Sequence, residues 1–171
     1  MGLSPDSLHR LSVGYLKSRR AWAFPMRDAS GAVTGVRLRL PSGRKLSIRG
    51  GREGLFLPDD LHAGSRLLIA EGPSDTAALL DLGFDAVGRP SCTGGTKHLV
   101  ELVKRLQPVE VAIVADHDEP GQRGADRLAV ALLVYVPTLR VIIPPAKDAR
   151  AWVQAGATQA DVEAAIGAAT P

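Results

Sequence analysis

The sequence predicts an α/β protein in which a parallel sheet of about four strands, with helices on both faces, follows a small basic antiparallel β subdomain. Three observations carry this. From residue 63 onward, short unbroken apolar runs alternate with helical stretches, the pattern of strands buried on both sides. Earlier, Val36, Leu38 and Leu40 alternate with Arg37 and Arg39, the period of a strand with two unlike faces. Charge is also divided, with 11 Lys/Arg against 5 Asp/Glu up to His62 and 10 against 13 thereafter. The expected boundary therefore separates a basic α+β subdomain, residues 1–62, from an α/β domain, residues 63–171.

Taken in order, residues 5–20 read as a short helix with Leu8, Leu11, Tyr15 and Leu16 on one side. Residues 21–58 read as antiparallel strands broken by the turn signals "ASG" and "PSG", with Arg37 and Arg39 on the outer face. "RLLIA" (66–70) is a buried strand, and a helix over 74–82 opens on Ser74 as N-cap. A strand at 85–88 precedes a helix over 96–106, which stops before Pro108. A strand at 109–115, a helix over 121–134 and a strand at 139–143 follow. Thr158 with Asp161 opens the last helix.

Composition narrows the function. Hydrophobic residues are 45% and charged residues 23% of 171, normal for a domain with a packed core. Aromatics are 4%, so that core is aliphatic. Trp22 and Trp152 are expected to fill gaps in it, with base stacking the alternative. Cys92 is the lone cysteine, which excludes an internal disulfide and a zinc ribbon within this chain. No apolar run approaches the ~18 residues of a membrane span, and the first ten residues lack a signal-peptide pattern. The expectation is a cytoplasmic protein with no membrane partner.

Four carboxylates fall where parallel sheets place their ligands, beyond the carboxyl ends of strands. Glu71 follows the first strand in "LLIAEGPSD", Asp116 and Asp118 follow the third in "VAIVADHDEPG", and Asp148 lies beyond the fourth. Singly, each reads as a helix cap or a solvated loop residue. As a convergent set they repel one another and need a counter-charge. Hard oxygen donors without a His or Cys framework select Mg²⁺ or Mn²⁺.

These residues resemble the TOPRIM domain of primases, topoisomerases and small nucleases, over about 64–156. The likeness rests on Glu-Gly after the first strand and Asp-x-Asp-x-x-Gly after the third. It implies that Glu71 is the general base or acid and that Asp116 and Asp118 hold magnesium. Asp75 matches the primase form of the motif and is assigned to the catalytic set, supporting a second metal or the first. Asp148 resembles the late acidic motif of primases and is assigned to the metal. Where that family often carries a further Asp, this chain has Arg150 and Ala151.

The front segment, "FPMRDASGAVTGVRLR" followed by "GRKL", resembles the basic subdomain that precedes TOPRIM in bacterial primases. On that likeness Arg39 and Lys45 contact template or nucleotide phosphates, and Arg37, Arg44 and Arg52 add phosphate contacts without sequence readout. The Gly-rich turn "GRPSCTGGTKH" (88–98) either cradles a triphosphate with help from Lys97 or is a plain turn capped by Thr93 or Thr96. Tyr15 and Tyr135 are expected in the core or on a helix face, which disfavours a topoisomerase, whose nucleophile is a tyrosine. No GxxxxGK[ST] motor motif is present.

The expected function is primer synthesis on single-stranded DNA from nucleoside triphosphates, with a divalent metal and a separate replicative helicase as partner. The alternatives are a TOPRIM nuclease using the same metal site and a non-catalytic nucleic-acid-binding module.

Overall fold

The computed structural model describes residues 2–170 and contains two four-stranded sheets. The first is antiparallel, in the order β1 (Gly14–Leu16), β2 (Ala21–Arg27), β3 (Val33–Arg39), β4 (Lys45–Ser47). The second is parallel: β5 (Arg66–Glu71), β6 (Ala86–Arg89), β7 (Glu110–Val114) and β8 (Leu139–Ile142), arranged 6-5-7-8. Six helices accompany them: α1 (Pro5–Arg10), α2 (Pro73–Asp81), α3 (Thr96–Leu106), α4 (Glu119–Leu132), α5 (Ala149–Gln154) and α6 (Gln159–Ala168).

Alternation along the parallel strands builds two cores. Leu67, Ile69, Val111 and Ile113 meet Leu99, Leu102, Leu128 and Leu132 of α3 and α4. Leu68, Ala70, Ala112 and Val114 face the other way, against Ala77 and Leu80 of α2, Ala149 of α5 and Val162 and Ile166 of α6. Successive side chains of a strand point to opposite faces, so apolar residues at every position demand helices on both.

Leu55 and Phe56 stitch the two sheets. Leu55 exchanges backbone hydrogen bonds with Arg27, and Phe56 does so with Gly88 of β6. Phe56 then joins Phe24 and Met26 of β2 in the core beneath α2.

Several elements differ from the sequence reading. The helix expected over 5–20 ends at Arg10; Ser12 turns the chain at φ 53° and residues 14–16 pair with β2. Leu8 and Leu11 pack against the core under α2, whereas Tyr15 and Leu16 belong to a strand. Gly72, not Ser74, is the N-cap of α2, at φ 80°, with Pro73 at the first helical position, where its missing N–H is no loss. The short α5 was not foreseen.

Tyr15 and Trp22 are 50% and 39% exposed rather than core residues. Tyr135, also 40% exposed, follows α4 and lies 4.3 Å from the Lys104 ammonium. Arg37 and Arg39 are not on an outward face. They share a face with buried Phe24 and line a cavity with Glu71. Among the described residues no helix is long and apolar enough to cross a membrane.

Candidate active site

Strand order explains how distant acids become neighbours. β5 lies between β6 and β7, and β7 lies between β5 and β8. The carboxyl ends of these strands therefore present, along one rim, Arg89, Glu71, Asp116 and the loop leading to Asp148. The connection from β5 runs to β6 on one side and that from β7 runs to β8 on the other, and such a reversal opens a crevice at that rim.

Asp118 and Asp148 begin helices. Asp118 Oδ1 accepts from the Gly121 N–H at 2.8 Å as the N-cap of α4, and Asp148 Oδ1 accepts from the Ala151 N–H at 2.7 Å as the N-cap of α5. Each spends one oxygen on a cap and keeps the other. His117 draws the two acid-bearing loops together: its backbone N–H donates to Lys147 O at 2.9 Å, and its Nδ1 donates to Pro144 O at 2.9 Å. Gly121 has to be glycine, because a Cβ there would lie 2.8 Å from Asp116 Cβ and 2.9 Å from its carbonyl oxygen.

Asp116 is partly buried, and its carboxyl is pushed up to about 6 by burial first, then by the charges of Glu71, Asp148 and Asp118, against the pull of Arg89. Asp75 is buried and raised to about 7, by burial and then by Asp148 and Asp116. Its Oδ1 accepts from the Arg150 N–H at 3.0 Å, tying α2 to the start of α5. Asp75 is thus held within the packing behind the rim.

Sequence reasoning missed Arg89. It is 2% exposed, and its Nη1 donates at 2.9 Å both to Cys92 O and to Gly124 O. Burial pulls the guanidinium below its ordinary range, while Glu71, Cys92 and Asp116 hold it up. A fixed cation beside the acidic rim offsets part of its repulsion. The available signal was positional: a charged residue closing a strand in register with Glu71.

Among the described residues, no three acidic, His or Cys side chains stand as a ready-made metal cage. Mg²⁺ does not require one. It keeps several waters and takes one or two carboxylates together with substrate phosphates. Hard oxygens, two of them left over from caps, and a carboxylate raised by burial and then by its neighbours' charge fit such an ion.

Opposite the acids stands a basic wall. Arg37, Arg39 and Lys45 line one cavity with Phe24, Phe56, Glu71, Gly72 and Ser74. Arg44 is exposed at the turn before β4. Arg52 lines a second cavity with Arg37, and with Lys97, Glu53, His98 and Asp28 it also lines one of about 440 Å³. The turn at 90–95 uses its own donors: the Gly95 N–H goes to Glu53 Oε1 at 2.6 Å and the Gly94 N–H to Ser91 Oγ at 3.0 Å. Neither Thr93 nor Thr96 caps α3, whose N-cap is Gly95.

The sequence matches no family model and no curated protein. Solved structures do match. The DnaG primase catalytic domain bound to ssDNA superposes with a TM-score of 0.75 at 22% identity, covering 99% of this chain and 69% of that one. The Escherichia coli primase catalytic core gives 0.74 at 22%, with 99% and 71% covered. The primase fragment of the bacteriophage T7 primase-helicase protein gives 0.74 at 17%, with 96% and 71% covered. Both sheets lie within the superposed residues, and the fold is that of the bacterial and phage primase catalytic core.

Proposed function

We propose that this chain is a primase-like nucleotidyltransferase that makes short primers on single-stranded DNA from nucleoside triphosphates. One observation carries the reading: Glu71, at the switch point of the parallel sheet, shares a cavity with Arg37, Arg39 and Lys45. A carboxylate rim facing a cationic wall suits a substrate that is a chain of phosphates approaching a proton acceptor.

In this reading Arg37, Arg39 and Lys45 neutralise phosphates of both the triphosphate and the template and hold the α-phosphorus toward the rim. Glu71 accepts the proton of the 3′-hydroxyl as its oxygen bonds to the α-phosphorus, the α–β phosphoanhydride bond breaks and pyrophosphate leaves. Asp116, Asp118 and Asp148 are the residues that would hold Mg²⁺ or Mn²⁺, which when bound supplies charge neutralisation at the reacting oxygens. Arg89 offsets part of the negative charge of Glu71 and Asp116, and Asp75 fixes α5 so that Asp148 reaches the rim. Arg44 and Arg52 add phosphate contacts along the subdomain, as Lys97 does from the neighbouring cavity. Template supply is assigned to a separate helicase, a pairing that the T7 primase-helicase carries within one protein.

The test is incubation with single-stranded DNA, the four ribonucleoside triphosphates and Mg²⁺ or Mn²⁺. Short oligoribonucleotides, absent with Glu71→Gln, are the expected product. Shortening of the template without added nucleotides would instead mark a nuclease, and neither product with binding retained would mark a binding module.

A further inference from the structure

One face of the antiparallel sheet carries, beside the cations already assigned, an aromatic pair that primer chemistry at Glu71 does not use. Residues directly opposite one another on paired strands share a face. The register runs Tyr15 opposite Trp22, Trp22 opposite Arg39, and Arg39 opposite Lys45. One row across all four strands is thus two aromatics followed by two cations. Arg39 and Lys45 line the cavity of Glu71, so the row leads from that cavity outward to the aromatic pair.

Tyr15 and Trp22 meet edge to face, ring centroids 5.2 Å apart and planes at 68°. Half of Tyr15 and two-fifths of Trp22 remain in solvent, whereas the three phenylalanines, Phe24, Phe56 and Phe84, are buried. The connection between their strands adds Lys17, Arg19 and Arg20, all exposed. Exposed rings set among cations are what an unpaired nucleic-acid strand binds, with bases stacked on the rings and phosphates on the cations.

We infer that the Tyr15–Trp22 pair is a stacking platform for an unpaired base of the single-stranded template, in line with the phosphate contacts of Arg39 and Lys45. The inference rests on the primase-like reading for the identity of the strand. An aliphatic or peptide partner fits less well, since five cations surround two rings and none of their cross-strand partners is acidic.

The test measures anisotropy of labelled oligo(dT), an abasic oligodeoxynucleotide of equal length and oligo(U), against the full chain and its Trp22→Ala, Trp22→Phe and Arg39→Ala variants. Trp22→Ala is expected to bind oligo(dT) about tenfold more weakly with an unchanged salt slope, whereas Arg39→Ala lowers that slope by about one. Trp22→Phe keeps most of the affinity. The unsubstituted chain prefers oligo(dT) to the abasic strand about tenfold, and Trp22→Ala loses that preference; this arm needs no folded variant to show the base dependence.

Equal binding of abasic and oligo(dT) strands by the unsubstituted chain overturns the platform. So does full affinity in Trp22→Ala, or an effect confined to oligo(U). If those results accompany normal primer synthesis, the platform alone falls. If the unsubstituted chain binds no strand at all, the primase-like reading falls with it.

Discussion

Asp118 has an observed role, capping α4, and a proposed one, holding metal, that substitution can separate. As an N-cap its oxygen stabilises α4, a contribution asparagine can supply and alanine cannot. As a metal donor its charge matters, and asparagine lacks it. Asp118→Asn is therefore expected to unfold at the same denaturant concentration as the parent yet lose primer synthesis by about 10²–10³-fold. Asp118→Ala should lose the activity and about 1 kcal/mol of stability as well. Asp116 gives a pH signature. Its folded carboxyl titrates near 6 against an ordinary 3.8, so the native state keeps a proton that the unfolded chain has released. Its stabilising effect is complete below about pH 4 and is lost as pH rises through 6; Asp75, near 7, prolongs the loss. In metal-free buffer Asp116→Asn should thus melt above the parent at pH 8, by about 2–4 °C for each kcal/mol of repulsion removed, with the gap closing toward pH 4.

The elements show what could be read in advance and what could not. The parallel strands were legible because both faces are apolar, a demand that local composition records directly. The acids at their ends were legible for the same reason, since topology fixes where strands finish. The segment at 11–16 was not. Leu8, Leu11 and Tyr15 keep helical spacing, but Tyr15 serves a sheet whose partner strand starts at Ala21, and only pairing reveals that. Arg89 was hidden because its partners, Cys92 O and Gly124 O, are backbone atoms, which leave no mark in residue type, and the second lies 35 residues away. At this junction α4 sits so close to the 90–95 turn that a Cβ on Gly124 would fall 2.2 Å from Cys92 O. Gly124→Ala should therefore cost roughly 1–3 kcal/mol in denaturant unfolding, the usual scale of overpacking. An unchanged midpoint would mean that helix and turn are not locked together.

Across the whole molecule, the basic and acidic halves face each other because Leu55 and Phe56 bond to both sheets. Phe24, Met26 and Phe56 share a core with Leu68 and Leu79, so the halves should unfold in one cooperative transition by both fluorescence and circular dichroism. Two separated transitions would show the subdomain to be an appendage. Adjacent strand ends also bring the acids onto one rim, whose repulsion Arg89 and the basic wall offset in part. The most direct measurement is thermal unfolding with Mn²⁺ titrated from zero to millimolar, comparing the parent with Asp116→Asn. A melting temperature that climbs with Mn²⁺ in the parent and stays flat in the variant is expected from ligand linkage; a parent curve as flat as the variant's would contradict a metal-binding rim.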